Sequence, residues 1–208
     1  MIPKVKICGL TRECDIDYVN EARPDYIGFV FAPSRRQIRI PDAEVLRKKV
    51  AEGIQTVGVF VDEEPEEIIA LINNGIIDIA QLHGSEPASC VSSLKERTGC
   101  RIIKAIHPGS GNHGVDIYED YIGAGTDFFL FDSGGTTQAG GTGKTFNWDL
   151  IPEIDCPYFL AGGLSLENIR EALDHTAPYG VDISSGVETD GVKDRDKILK
   201  IIRRIRNV

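Results

Sequence analysis

Val5-Lys6-Ile7-Cys8-Gly9-Leu10-Thr11 contains, in order, an apolar strand signal, a glycine break and a threonine able to cap a helix. Side chains on a strand alternate between faces, so Val5 and Ile7 share a face suited to packing against helices, while Lys6 and Cys8 share the other. Thr11 then opens a segment carrying Cys14, Tyr18 and Val19. The same succession recurs outward from this unit. Runs rich in β-branched and aromatic residues fall at Val5–Cys8, Tyr26–Phe31, Thr56–Val61, Ile79–Leu82, Arg101–Ile106, Phe128–Asp132, Tyr158–Ala161 and Gly180–Ile183. Helix signals lie between them. Pro65 precedes Ile68, Ile69 and Ile72, Ser85 and Pro87 open another helix, and Ser165 precedes Ile169, Ala172 and Leu173. Ile198, Ile201, Ile202 and Ile205 form the stripe of a closing amphipathic helix. Alternation of this kind implies a parallel sheet, and eight units in 208 residues fit an α/β single-domain (β/α)8 TIM barrel over residues 1–208. The longest irregular stretch, Ser133 to Phe146, is rich in Gly and Thr and reads as a substrate loop on the active face.

Composition narrows the function. The formal charge of -9 argues against a general nucleic-acid surface. Local basic clusters stand at Arg35-Arg36-Gln37-Ile38-Arg39 and Arg203-Arg204-Ile205-Arg206, the second on a solvated helical face. The five cysteines at 8, 14, 90, 100 and 156 form no CxxC pair and are odd in number, so reduced thiols in cytoplasm fit better than a disulfide framework or a zinc site. The amino terminus turns charged before a signal-peptide core can form, and no apolar run reaches membrane-spanning length. A cytoplasmic protein without membrane, nucleic-acid or metal partners is expected.

Two literal motif matches mislead. Gly109-Ser110-Gly111-Asn112-His113-Gly114 spells a dinucleotide fingerprint, but Pro108 interrupts the turn and the motif follows the fifth strand instead of opening the domain. Gly143-Lys144-Thr145 ends like a P-loop, yet the first glycine would have to be Gln138. What remains there is either a loop able to close over an anion or a plain solvent-exposed turn. The loops after strands seven and eight are more telling. Ala161-Gly162-Gly163 and Ile183-Ser184-Ser185-Gly186 present small residues that let backbone N–H groups approach an anion, at the place where such barrels often hold a phosphate.

Several polar residues sit at strand ends. Cys8 is either a buried small hydrophobe or a reactive thiol whose ionisation Lys6 assists. Asp132 and Asp182 interrupt apolar runs, where an unpaired charge is costly to bury. Alternation puts Asp132 with Leu130, away from Phe129 and Phe131, and a carboxyl in a partly dry barrel mouth can act as a general acid or brace a loop. His83 shares the Gln81 face, to contact substrate or to brace a loop. Arg36, just past the second strand, is either a surface arginine or a clamp for a substrate carboxylate.

Lys6-Ile7-Cys8-Gly9-Leu10-Thr11, Gly28-Phe29-Val30-Phe31 with Ser34-Arg35-Arg36, Gln81-Leu82-His83-Gly84, Phe131-Asp132-Ser133, Gly140-Gly141-Thr142-Gly143-Lys144-Thr145-Phe146 with Trp148, Ala161-Gly162-Gly163-Leu164 and Val181-Asp182-Ile183-Ser184-Ser185-Gly186-Val187-Glu188 together resemble the phosphoribosylanthranilate isomerases of tryptophan biosynthesis. The resemblance runs collinearly along almost the whole chain. It implies a cofactor-free Amadori rearrangement of N-(5-phosphoribosyl)anthranilate to 1-(2-carboxyphenylamino)-1-deoxyribulose 5-phosphate. It also implies Cys8 as the general base at the sugar C2 and Asp132 as the general acid at the furanose oxygen. By the same resemblance Arg36 binds the anthranilate carboxylate, Asp182 lies near the sugar hydroxyls, and Gly141, Gly163, Ser185 and Gly186 line the phosphate site, to which the small-residue loop reading adds Gly162. The expected partner is a small phosphoribosyl substrate, with the oligomeric state open between monomer and homodimer. Two rivals remain: the histidine-pathway isomerase, whose resemblance would bring an aspartate where Cys8 stands, and a phosphate-binding barrel without chemistry, against which the Cys8 and Asp132 pair argues.

Overall fold

The computed structural model describes residues 2–108, 115–133 and 147–207. Its elements are, in chain order, β1 (Lys4–Cys8), α1 (Glu13–Ala22), β2 (Tyr26–Val30), α2 (Ile40–Arg47), β3 (Gln55–Phe60), α3 (Pro65–Asn73), β4 (Ile79–Leu82), α4 (Ala88–Thr98), β5 (Arg101–Ile106), α5 (Val115–Gly123), β6 (Phe128–Phe131), β7 (Tyr158–Leu160), α6 (Ile169–Thr176), β8 (Gly180–Ile183), β9 (Glu188–Thr189), β10 (Val192–Lys193) and α7 (Arg195–Arg206). Strands β1 to β8 form a closed barrel. Every pairing between neighbours is parallel, and Lys4 opposite Gly180 and Lys6 opposite Asp182 close β1 onto β8. The barrel expected from the alternating strand and helix signals is the fold.

The differences lie at element ends. Phe31, Asp132 and Ala161, assigned from sequence to strands, lie just past them. Each still donates its backbone N–H to one neighbouring strand, to Val59 at 2.9 Å, Ile106 at 3.3 Å and Phe131 at 2.7 Å, but makes no full ladder. Helix α1 starts at Glu13 with Arg12 as its N-cap, so Thr11 is not the cap. Asp15 takes that task from inside the first turn: its Oδ2 accepts the backbone N–H groups of Thr11 and Arg12, each at 3.0 Å. Between β6 and β7 the described residues hold only a short 3₁₀ turn, Trp148–Leu150. A small antiparallel hairpin, β9 with β10, follows β8 and adds to the eight barrel strands.

Strand parity divides the apolar residues between two cores. Val5, Ile7, Ile27, Phe29, Leu82, Phe129, Phe131, Val181 and Ile183 face outward and pack with helix residues such as Ile16, Ile68, Val91, Ile169 and Ile201. Tyr26, Val57, Ile79, Ile103, Phe128, Leu130 and Phe159 fill the interior. Edge-on packing of Phe159 against Tyr26 and Phe128, at centroid distances of 5.4 and 5.6 Å, closes that interior layer. Above it the inward positions become polar.

Candidate active site

One cavity at the carboxyl ends of the strands is lined by Cys8, Ser34, Arg36, Gln81, His83, Asp132, Gly162, Gly163, Asp182, Ser184 and Ser185, with Val30, Val59, Ala161 and Leu164 as apolar wall. Parity accounts for the convergence: Lys6 and Cys8 on β1, Gln81 and then His83 on β4, Asp132 beyond β6 and Asp182 on β8 all take inward positions. Gly28 makes room for the thiol. It pairs with Cys8 in the β1–β2 register, and a Cβ there would lie 2.6 Å from Cys8 Sγ.

Lys6 is fully buried, and its ammonium reaches Asp182 Oδ2 and Gln81 Oε1, each at 2.7 Å. Burial alone would lower the Lys6 pKa, and it pushes the Asp182 carboxyl upward, but the charges of Asp182 and Cys8 raise Lys6 above its ordinary value. The 2.7 Å contact decides the matter in favour of a charged pair. Cys8 goes against expectation. Burial raises its pKa by more than Lys6 and Lys193 lower it, and Asp182 adds to the rise, so desolvation wins over the neighbouring ammonium. The resting thiol is therefore harder to ionise than a free cysteine.

Beyond Gln81 the polar chain continues. Gln81 Nε2 lies 3.0 Å from His83 Nδ1, and His83 Nε2 lies 3.7 Å from Asp132 Oδ2. Burial lowers the His83 pKa to about 4 despite the pull of Asp132, which leaves a neutral ring. Ser133 Oγ donates to Asp132 Oδ1 at 3.2 Å. His83 Nε2 and Asp182 Oδ1 are buried without hydrogen-bond partners. Unmet polar atoms are costly in a folded interior, so two at one cavity point to a polar ligand.

Across the mouth, Arg36 is buried, and it is held rather than free. Its Nε and Nη2 meet Glu188 Oε1 and Oε2 at 2.6 and 2.9 Å. Lys193 Nζ joins Glu188 Oε1 at 2.7 Å, and Arg35 Nη2 joins Oε2 at 2.9 Å. Burial would raise the Glu188 pKa, but Arg36 and Lys193 outweigh it and hold the carboxyl below its ordinary value. Lys193 also donates to the Ser184 carbonyl at 2.9 Å, and Ser184 Oγ donates to the Cys8 carbonyl at 3.0 Å, so the β9–β10 hairpin braces both the Arg36 wall and the first strand end. Sequence reasoning assigned no role to Glu188, Lys193 or Gln81. The signal for the hairpin was present: Asp190-Gly191, both at positive φ, is a favoured two-residue turn and sets Lys193 opposite Glu188.

The loops after β7 and β8 form the remaining wall. Gly162 takes φ 84°, and a Cβ on it would lie 2.5 Å from the Ser133 backbone nitrogen. Asn168 fixes this loop by accepting the Ser165 N–H at 2.8 Å and donating to the Gly163 carbonyl at 2.9 Å. Ser185 opens a 3₁₀ turn, Ser185–Val187. Gly186 follows in that turn, where a Cβ would run into the Leu164 carbonyl. Gly141, the Gly109–Gly114 fingerprint, Gly143-Lys144-Thr145 and residues 134–146 of the expected substrate loop lie outside the described residues. Among the described residues no cluster of His, Cys, Asp and Glu has metal-binding geometry, and no helix is long and apolar enough to cross a membrane.

The family model for N-(5'-phosphoribosyl)anthranilate (PRA) isomerase matches residues 5–204. The chain belongs to the PRA isomerase family. It is 44% identical over 209 residues to N-(5'-phosphoribosyl)anthranilate isomerase of Endomicrobium trichonymphae, covering 100% of each chain. Among solved structures it is similar to phosphoribosyl anthranilate isomerase from Thermus thermophilus, with TM-score 0.83, 30% identity and 98% of each chain covered. It is also similar to a phosphoribosyl anthranilate isomerase in complex with reduced 1-(o-carboxyphenylamino)-1-deoxyribulose 5-phosphate, with TM-score 0.78, 33% identity and 99% and 100% of the two chains covered.

Proposed function

We propose that the protein, as one catalytic domain over residues 1–208, converts N-(5'-phosphoribosyl)anthranilate to 1-(2-carboxyphenylamino)-1-deoxyribulose 5-phosphate in tryptophan biosynthesis in the cytoplasm, without a cofactor. The observation that carries this reading is that Cys8 and Asp132, from opposite parts of the chain, line one cavity holding unpartnered polar atoms. Asp132 gives its proton to the furanose oxygen as the C1–O bond breaks and the anilino nitrogen forms an iminium. The Cys8 thiolate then removes the proton from C2, and the enolamine tautomerises to the ketone. The iminium is the electron sink that makes the C2 proton removable by a weak base, so acid and base act in succession on one sugar. Arg36, whose fork Glu188 orients, binds the anthranilate carboxylate. His83 and Asp182 face the sugar. Gly162, Gly163, Ser185 and Gly186, together with Gly141, hold the phosphate through backbone donors.

The test is a fluorescence assay of freshly generated phosphoribosylanthranilate. Wild-type protein consumes it, while Cys8→Ala and Asp132→Asn each lose about 10²–10⁴-fold in kcat and still bind the reduced product analogue. Unchanged rates in the two variants refute the roles, and an inactive wild type refutes the reaction.

A further inference from the structure

Lys6 has three N–H donors and no acceptor, so the Gln81 side-chain atom 2.7 Å from it must be the carbonyl oxygen. That contact fixes which way the Gln81 amide points. Its other end, an NH2 group that can only donate, then lies 3.0 Å from His83 Nδ1. Nδ1 must accept, and a neutral imidazole that accepts at Nδ1 carries its proton on Nε2. Nε2 is buried without a partner. Asp132 Oδ2 lies 3.7 Å from it.

Building on the proposed reaction, we propose that Gln81, oriented by Lys6, is a positioning residue that locks His83 as its Nε2–H tautomer and aims that N–H at Asp132. The groups facing His83 agree with a neutral ring. Burial disfavours an imidazolium, the ionised form of Asp132 favours one, and the His107 ring, 5.4 Å away between centroids, Lys6 from β1 and Lys104 from β5 disfavour it. When Asp132 gives up its proton, its carboxylate becomes negative beside a donor already pointed at it. A shift of less than about 1 Å brings the two within hydrogen-bond range. Preorganised donors at a site of developing charge are among the strongest contributions a protein makes to a rate. The chain Asp182–Lys6–Gln81–His83–Asp132 thereby connects the strand that carries Cys8 to the acid on the far side of the cavity.

The tautomer is measurable on uniformly 15N-labelled full-length protein by long-range 1H–15N correlation, with the His83 signals assigned by their loss in His83→Gln. Wild type is expected to show a protonated Nε2 and a bare Nδ1 near neutral pH. Gln81→Glu, similar in size, presents an acceptor to Nδ1. It is expected to move the proton to Nδ1 and to lower kcat on the order of ten- to hundredfold, with KM changed less than about threefold. A wild-type ring that is protonated on Nδ1, or on both nitrogens, overturns the proposal without any variant. So does a Gln81→Glu protein that keeps the wild-type tautomer or the wild-type kcat. A wild type that shows the Nε2–H signals but does not consume phosphoribosylanthranilate refutes the proposed reaction and upholds the tautomer lock.

Discussion

The deep interior of the barrel and its mouth are built from the same inward-facing strand positions, and they do opposite things. Deep inside, Val57, Ile79, Ile103, Phe128, Leu130 and Phe159 are apolar and almost fully buried. Toward the carboxyl ends, Lys6, Gln81, His83, Asp132 and Asp182 replace them, joined by hydrogen bonds at 2.7 to 3.0 Å that run from Asp182 to His83. Each group in the lower layer contributes to stability by leaving water. In the upper layer burial is a cost, offset by pairing, and the atoms left unpaired are those available to a ligand. The comparison teaches that one geometric rule, strand alternation, supplies a core at one depth and a reactive surface at the next.

The sharpest way to break this division is to exchange the expected consequences of substitution. Cys8→Ala at the mouth removes the proposed base and leaves the apolar layer intact. The expected result is the loss of about 10²–10⁴-fold in kcat with a melting temperature close to wild type, seen by comparing steady-state assays with calorimetry; a Cys8→Ala protein that melts early but still turns over reverses the assignment. Leu130→Ala, in the layer below, is expected to cost about 2–5 kcal/mol of stability, measured by urea unfolding, while the surviving folded fraction keeps its kcat. If the variant protein is as stable as wild type, the deep layer is not the packed core described above.

A smaller effect concerns proton supply. With the thiol pKa raised above its ordinary 9.0 by burial, the thiolate fraction grows about tenfold for each pH unit below that pKa. The ultraviolet thiolate absorbance of wild type minus that of Cys8→Ala should therefore still be rising at pH 9; a Cys8 thiolate signal already complete near neutrality would show that Lys6 prevails over desolvation after all. The least effect is expected at Glu188. Its folded pKa lies below the ordinary 4.5, so its contribution to stability is complete above about pH 4.5 and fades as pH falls through the folded value. Glu188→Gln should flatten that acid-side loss in a pH series of thermal melts, and an acid limb identical to wild type would assign the loss to other carboxylates.

Much of this was legible before any coordinates. Alternation in Phe129-Leu130-Phe131-Asp132 assigns the outward and inward sides correctly, as it does for Lys6 and Cys8 and for Gln81 and His83, because strand pleating is local. The effect of Lys6 on Cys8 was not legible. Adjacency in sequence suggests a depressed thiol pKa, but the ammonium is already engaged by Asp182, and the depth of burial, which no local pattern reports, decides the sign. The bidentate hold of Glu188 on Arg36 was equally hidden, since it joins residues 152 positions apart.

The amino-acid sequence alone determined the eight barrel strands, the parity of each strand and the residue types offered at the strand ends, all of which depend on neighbours within a few positions. Only the closed barrel decided that Lys6 faces Asp182 and Gln81, that Gln81 orients His83, and that a hairpin after the last strand holds Arg36. Those are contacts between distant segments, and their strength depends on water being excluded from a space that exists only once the first strand meets the eighth.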